Sequence, residues 1–167
     1  MDHAGLTPGL EVRRARSDEL AACATLYEQV LRDTFTWAPP GRYQAADFLR
    51  AAVEEEVYVA VVAGVIVGLA SVHAPQQFLH SLYVADRGRG IGRALLAHVI
   101  GRTHGELQLK CQAANTRAQA FYRREGFRSL ERGEDGGVAW IRFAYGGELT
   151  RRGRGGVSGS GTFPERP

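Results

Sequence analysis

Only two cysteines occur in 167 residues, and Cys23 and Cys111 form neither a CxxC pair nor a Cys/His spacing. That excludes a disulfide framework and a zinc site, and no metal is expected. A reducing, cytoplasmic setting follows. Met1-Asp2-His3-Ala4-Gly5-Leu6 lacks both a cationic start and an apolar run, so no secretory signal is read there. Long hydrophobic runs are missing as well. The most apolar stretch, Val57 to Val72, is interrupted by Gly64 and Gly68 and falls short of the roughly 18 continuous apolar residues of a membrane span. No membrane partner is expected, and the stretch reads as two buried strands around a tight turn.

An excess of one charge sign is also scarce once its position is considered. The net charge of +3 suggests a basic protein that seeks nucleic acid. Four of the 21 basic residues and one of the 18 acidic residues lie in 151–167, leaving 17 of each before it. The tail is glycine-rich and lacks aromatics until Phe163, a poor platform for stacking bases, so nucleic acid is not the expected partner. The length suits one domain. Residues 1–9 are expected to be disordered, 10–150 to form the domain, and 151–167 to be a disordered Arg/Gly-rich tail.

Alternation over Leu10 to Ala15 predicts a strand, and Ser17-Asp18-Glu19 offers an N-cap with two acids for a helix carrying Leu20, Cys23, Ala24, Tyr27, Val30 and Leu31 inward. A second helix is predicted over 44–54 with Phe48, Leu49, Ala52 and Val53 inward. Strands over 57–63 and 65–73 form a hairpin through Ala63-Gly64. A further strand, Phe78 to Val84, leads through an arginine- and glycine-rich loop into helical periodicity from Ala94 to Ile100. Strands at 107–111, 127–130 and 138–145 surround a helix over 115–125 that Gly126 stops. Glu54-Glu55-Glu56 could supply a base through water but reads first as a solvated helix end, and His98 and His104 read as solvated side chains.

The loop Arg87-Gly88-Arg89-Gly90-Ile91-Gly92-Arg93 carries the chemistry. Between a strand and a helix it offers unpaired N–H groups at a helix N-terminus, glycines that admit an anion to the backbone, and guanidinium groups. It is a phosphate cradle. A P-loop would need Lys-Ser/Thr where Arg93-Ala94 stands, and a dinucleotide fingerprint would need glycine at Arg93.

Leu82-Tyr83-Val84, this loop with Ala94-Leu95-Leu96, and the downstream Asn115-Thr116-Arg117-Ala118-Gln119-Ala120-Phe121-Tyr122-Arg123-Arg124-Glu125-Gly126-Phe127 together resemble the GNAT superfamily of acyl-CoA-dependent N-acetyltransferases. Only Ala85-Asp86 separate Val84 from Arg87, a shorter connection than the family usually has. The resemblance implies an α/β (α+β) fold: a mixed, splayed, mostly antiparallel sheet of about six to seven strands flanked by about four helices. It implies acetyl-CoA as acyl donor, its pyrophosphate on Arg87, Gly88, Arg89, Gly90, Ile91, Gly92 and Arg93. The pantetheine arm would lie along Leu82, Tyr83 and Val84, near Asn115 and Ala118. A primary amine of a small molecule or protein would be the acceptor. Tyr122 matches the family tyrosine that protonates the departing sulfur.

His80, two residues before Leu82, resembles the arylalkylamine-type branch, where such a histidine serves in proton removal; Phe78 replaces that branch's partner histidine. By the period-two rule His80 shares a face with Phe78, Leu82 and Val84. Its ordinary pKa near 6.5 suits a base at neutral pH. His73 is a second candidate. Phe35, Trp37 and Tyr43 could contact the amine or form a packed lid. Competing functions are an acyl-CoA sensor without turnover and nucleic-acid contact through the tail, and a homodimer is left open.

Overall fold

The computed structural model describes residues 7–147; the tail expected at 151–167 and residues 1–6 lie outside the described residues. Within the stretch 1–9 expected to be disordered, Thr7 is buried, and its hydroxyl donates to the Arg89 carbonyl at 2.9 Å. The described chain forms a mixed α/β fold of seven mostly antiparallel strands and four α-helices. It divides into two compact units, one ending at Thr103 and the other beginning at His104. Among the described residues no helix is long and apolar enough to cross a membrane.

The first unit contains β1 (Glu11–Arg14), α1 (Leu20–Thr34), α2 (Ala45–Ala52), β2 (Glu56–Val62), β3 (Val65–His73), β4 (Phe78–Val84) and α3 (Ile91–Ile100). The strands pair in sequence order, each antiparallel to the next. Ala63 (φ 49) and Gly64 (φ 77) close the β2–β3 hairpin with Val62 opposite Val65. Two left-handed residues match the twist of the flanking strands.

One sheet face is apolar against α1 and α2, where Val57, Val59 and Leu69 meet Leu31, Tyr27 and Phe48. The other face carries Gly68, whose missing side chain admits Ile91 and Leu95 of α3. Tyr58 on that face stacks edge-on with His98 at 5.1 Å. His98 is therefore not a solvated side chain. Its Nε2 is buried without a hydrogen-bond partner among the described residues, and burial, then Arg102, lowers its pKa.

The entry into α1 differs from the expected Ser17 cap. Residues Ser17–Glu19 form a 3-10 turn, and Glu19 accepts the Arg16 N–H at 2.8 Å and a two-pronged Arg13 guanidinium at 2.8 and 2.7 Å. Those bonds, Arg13 first and the Arg16 N–H next, hold the Glu19 carboxyl at about 2. In α2 the buried stripe is Phe48 and Ala51, whereas Leu49 and Val53 are 42% and 84% exposed. Val53 falls beyond the helix end, and Leu49 is about 100° around the axis from Phe48, outside a stripe only one helix wide.

The second unit contains β5 (Leu107–Gln112), α4 (Thr116–Arg124), β6 (Arg128–Asp135) and β7 (Val138–Tyr145), with β7 between β5 and β6. β6 runs five residues beyond the expected 127–130. It is exposed at nearly every position and bulged at Leu130, so no apolar alternation announces its far half. Asn115 caps α4, its Oδ1 accepting the Ala118 N–H at 3.1 Å. Gly126 (φ 93) ends it, with the Phe127 N–H returning to the Tyr122 carbonyl at 2.9 Å.

Two outcomes follow from these contacts. A Cβ at Gly68 would meet Ile91 and Leu95 side-chain atoms at 3.0 Å and the Tyr83 carbonyl at 3.1 Å, so Gly68→Ala should cost about 1–3 kcal/mol in urea unfolding; an unchanged midpoint would contradict the packing. Because the folded state lowers the Glu19 pKa from 4.5 to about 2, its contribution is present above about pH 4.5 and is lost as pH falls through about 2. Glu19→Gln should therefore flatten the acid limb of the stability curve over that window, and a curve parallel to wild type would refute the linkage.

Candidate active site

β4 ends at Val84, and the chain stays with the sheet for one more bond, the Ala85 N–H donating to the Val67 carbonyl at 2.9 Å. Val67 is available because β3 bulges there, Ala60 pairing with Gly68 and Val61 with Ile66. The loop that follows turns on Gly88 (φ 78) and Gly90 (φ 75), both in the left-handed region that favours glycine. Gly90 is the N-cap of α3, and its carbonyl accepts the Ala94 N–H at 3.0 Å. The N–H groups of Ile91 and Gly92 precede any intrahelical acceptor and lie at the positive end of the helix dipole.

α3 thus begins at Ile91, three residues before the predicted Ala94. Ile91 is buried and anchors the first turn, an anchor obscured in sequence by the glycines around it.

The loop arginines are exposed and partly committed. Arg87 Nη2 donates to Thr34 Oγ1 at the end of α1 at 2.8 Å, and Arg89 Nη1 lies 3.3 Å from Asp86 Oδ2. Thr7 holds the Arg89 carbonyl from the other side. Helix N-terminus, left-handed glycines and neighbouring guanidiniums fit a diphosphate, whose charge the backbone N–H groups and dipole receive together.

The centre of β4 corrects the period-two expectation. Ser81 pairs with Ser71 and Leu79 with Val72, so His80 is an extra residue opposite the Ser71–Val72 step. This β-bulge reverses the alternation. Leu79 now shares the face of Leu82 and Val84, while Phe78 shares the face of Ser81 and Tyr83. His80 stacks on Phe78 at 4.9 Å and lies 6.2 Å, ring to ring, from His73. It therefore sits with Phe78 but not with Leu82 and Val84. Tyr83 points to the α1 side, edge-on to Tyr27 at 5.7 Å.

His80 Nδ1 is in hydrogen-bond contact with Glu55 Oε1, and the two side chains are 14% and 2% exposed. Glu55 is therefore not part of a solvated run. It continues the inward register of Val57 and Val59, whereas Glu56 turns to the Tyr58 hydroxyl at 2.6 Å. Ser71 Oγ and His73 Nδ1 are buried close by in the strand pairing, each without a hydrogen-bond partner among the described residues. Phe35 stacks on Trp37 and Tyr43 at 5.1 and 5.4 Å, with Trp37 half exposed.

In the second unit Tyr122 packs against Phe127 and Phe143 at 5.5 and 6.1 Å. Burial first, then Cys111, pushes its phenol well above the usual tyrosine range. Asn115 and Ala118 form the α4 cap. Among the described residues no group of three or more His, Cys, Asp or Glu is placed to hold a metal ion.

A family model, the acetyltransferase (GNAT) family, matches residues 17–127, from the entry of α1 through the end of α4. The chain belongs to that family. No curated protein matches it. Solved structures of GNAT proteins do. One is a GCN5-related N-acetyltransferase from Rhodopseudomonas palustris, 19% identical, with a TM-score of 0.70 over 85% of this chain and 98% of that one. A second is YncA from Salmonella typhimurium with its cofactor acetyl-CoA, 19% identical, TM-score 0.65, covering 84% and 95%. A third is the PaiA N-acetyltransferase from Thermoplasma acidophilum in complex with coenzyme A, 15% identical, TM-score 0.64, covering 80% and 97%. At these identities the likeness shows the GNAT fold.

The glycine geometry is testable by itself. Gly90→Val places a β-branched residue at φ 75 and should lower stability by about 1–2 kcal/mol. Chemical denaturation reads it, and an unshifted midpoint would rule out the left-handed cap.

Proposed function

We propose that this GNAT protein transfers an acetyl group from acetyl-CoA to a primary amine of a small molecule or protein. The observation that carries the reading is the left-handed Gly90 cap, which presents the α3 N-terminus beside Arg87 and Arg89 directly after β4. That arrangement supports binding of the coenzyme pyrophosphate. The extra residue in β4 puts His80 outside the β3–β4 register, directly upstream of Leu82 to Val84.

An alkyl amine, with a pKa near 10.4, arrives protonated at neutral pH and needs a base before it can attack the thioester. In this reading His80 takes that proton. The amine nitrogen then bonds to the acetyl carbon, and collapse of the tetrahedral intermediate breaks the carbon–sulfur bond. Tyr122 donates its phenolic proton to the departing thiolate. A tyrosine phenol, with an ordinary pKa near 10, carries its proton at neutral pH and so has one to give. Asn115 and Ala118 accompany the pantetheine arm in the same reading.

Acetyl-CoA at about 100 times its dissociation constant should stabilise the fold by about 2.7 kcal/mol in a thermal-shift assay; no shift at millimolar coenzyme would end the coenzyme assignment. Turnover is then followed by thiol release over a panel of tryptamine, spermidine, a lysine-containing peptide and a peptide with N-terminal alanine. Tyr122→Phe and His80→Ala should each lower kcat by about 100-fold or more with coenzyme affinity nearly intact. Wild-type kcat in either variant removes that residue from the mechanism.

A further inference from the structure

We infer that Glu55 is a positioning residue that holds His80 in its Nδ1–H tautomer, so that Nε2 is the atom that takes the proton. The inference rests on the reading of His80 as the base. Its first ground is location. Glu55 comes from the connection between α2 and β2, outside every segment the motifs cover, yet its side chain is 2% exposed and in contact with His80 Nδ1. An acid buried to that degree does not reach a substrate. The histidine, 14% exposed, is the member of the pair that can.

The second ground is the chemistry of burial. A carboxylate taken out of water requires hydrogen bonds or an opposite charge. His80 supplies a donor in Nδ1–H and, once protonated at Nε2, a cation. In this inference the carboxylate is the acceptor. It accepts the same Nδ1–H bond before and after proton transfer, and the bond becomes charge-assisted when the imidazolium forms. Among the described residues, the titratable groups in contact with or stacked near His80 are Glu55 and, from β3, His73 at 6.2 Å between rings. His73 leaves Nδ1 buried without a partner among the described residues, so it does not compete for the Glu55 oxygen through that atom.

The third ground is the bulge. An unbulged β4 would alternate His80 away from the face of Ser81, Tyr83 and Val57; the extra residue brings it back to the side from which Glu55 approaches. A one-residue slip would separate the pair.

The test uses the full chain and has an arm that needs no acceptor. Long-range proton–nitrogen NMR of the imidazoles should show neutral His80 as the Nδ1–H tautomer in the wild type. Glu55→Met should move it toward Nε2–H. A wild-type Nε2–H tautomer, or no change on Glu55→Met, overturns the inference. Glu55→Gln keeps an acceptor oxygen and removes the charge, so it guards against a Met variant that fails to fold. With the fastest amine of the panel it should lower kcat about tenfold while the KM for acetyl-CoA stays within about twofold, a split that general unfolding would not give.

In a His80→Ala background Glu55→Gln should have no further effect, and an additional full loss would mean that Glu55 acts independently of His80. If His80→Ala keeps wild-type turnover, the base reading fails while the NMR arm still decides the tautomer. If His80→Ala is impaired and Glu55→Gln is not, the positioning inference alone fails.

Discussion

One additional residue in β4 governs the arrangement of the first unit's polar groups. Strands β3 and β4 pair in register from Gly68–Val84 to Ser71–Ser81, and again at Val72–Leu79 and His73–Phe78. Between these two runs His80 has no partner. Because side chains alternate with a period of two, a single inserted residue exchanges the faces of everything beyond it. Phe78 is thereby placed toward the α1 and α2 side, where the regular alternation of β3 already puts His73; Leu79 goes toward the side of α3, and His80 joins Phe78. Without that insertion the buried Glu55 carboxylate would lack its imidazole neighbour.

The same unit separates two kinds of binding chemistry. Around Gly88 and Gly90 the polar groups belong to the backbone and are exposed, which suits an anion that remains partly hydrated. Around His80 they are side chains in an apolar setting, which suits proton transfer, since charges created out of water depend strongly on their immediate partners. The bulge at Val67 serves the first by accepting the Ala85 N–H as the chain leaves the sheet, and Thr7 holds the Arg89 carbonyl. The bulge at His80 serves the second. Both depart from regular pairing beside the proposed ligand path.

Much of this was legible in the residue order. The strand–glycine loop–helix succession, the Ala63-Gly64 hairpin, the capped helix after Asn115 and its stop at Gly126 are local signals, since each depends on residues within a few positions of one another. What failed were inferences that assumed regular continuation. The period-two rule put His80 with Leu82 and Val84 because nothing in Phe78-Leu79-His80-Ser81-Leu82 signals a bulge. The acidic triplet looked solvated because three adjacent glutamates usually are. Its middle member is buried because Val57 and Val59, two and four residues on, commit that face to the core.

The sequence by itself determined the family, the elements in order, and the glycine loop between a strand and a helix, because motif spacing, turn chemistry and hydrophobic period act over short distances along the chain. Only the tertiary structure decided which face His80 occupies, that Glu55 and not the neighbouring glutamates meets it, and that Thr7 holds the carbonyl of Arg89, 82 positions away. These contacts depend on how strands register and on which groups are removed from water together. Both are properties of packed elements, and neither leaves a mark in the order of residues within any one of them.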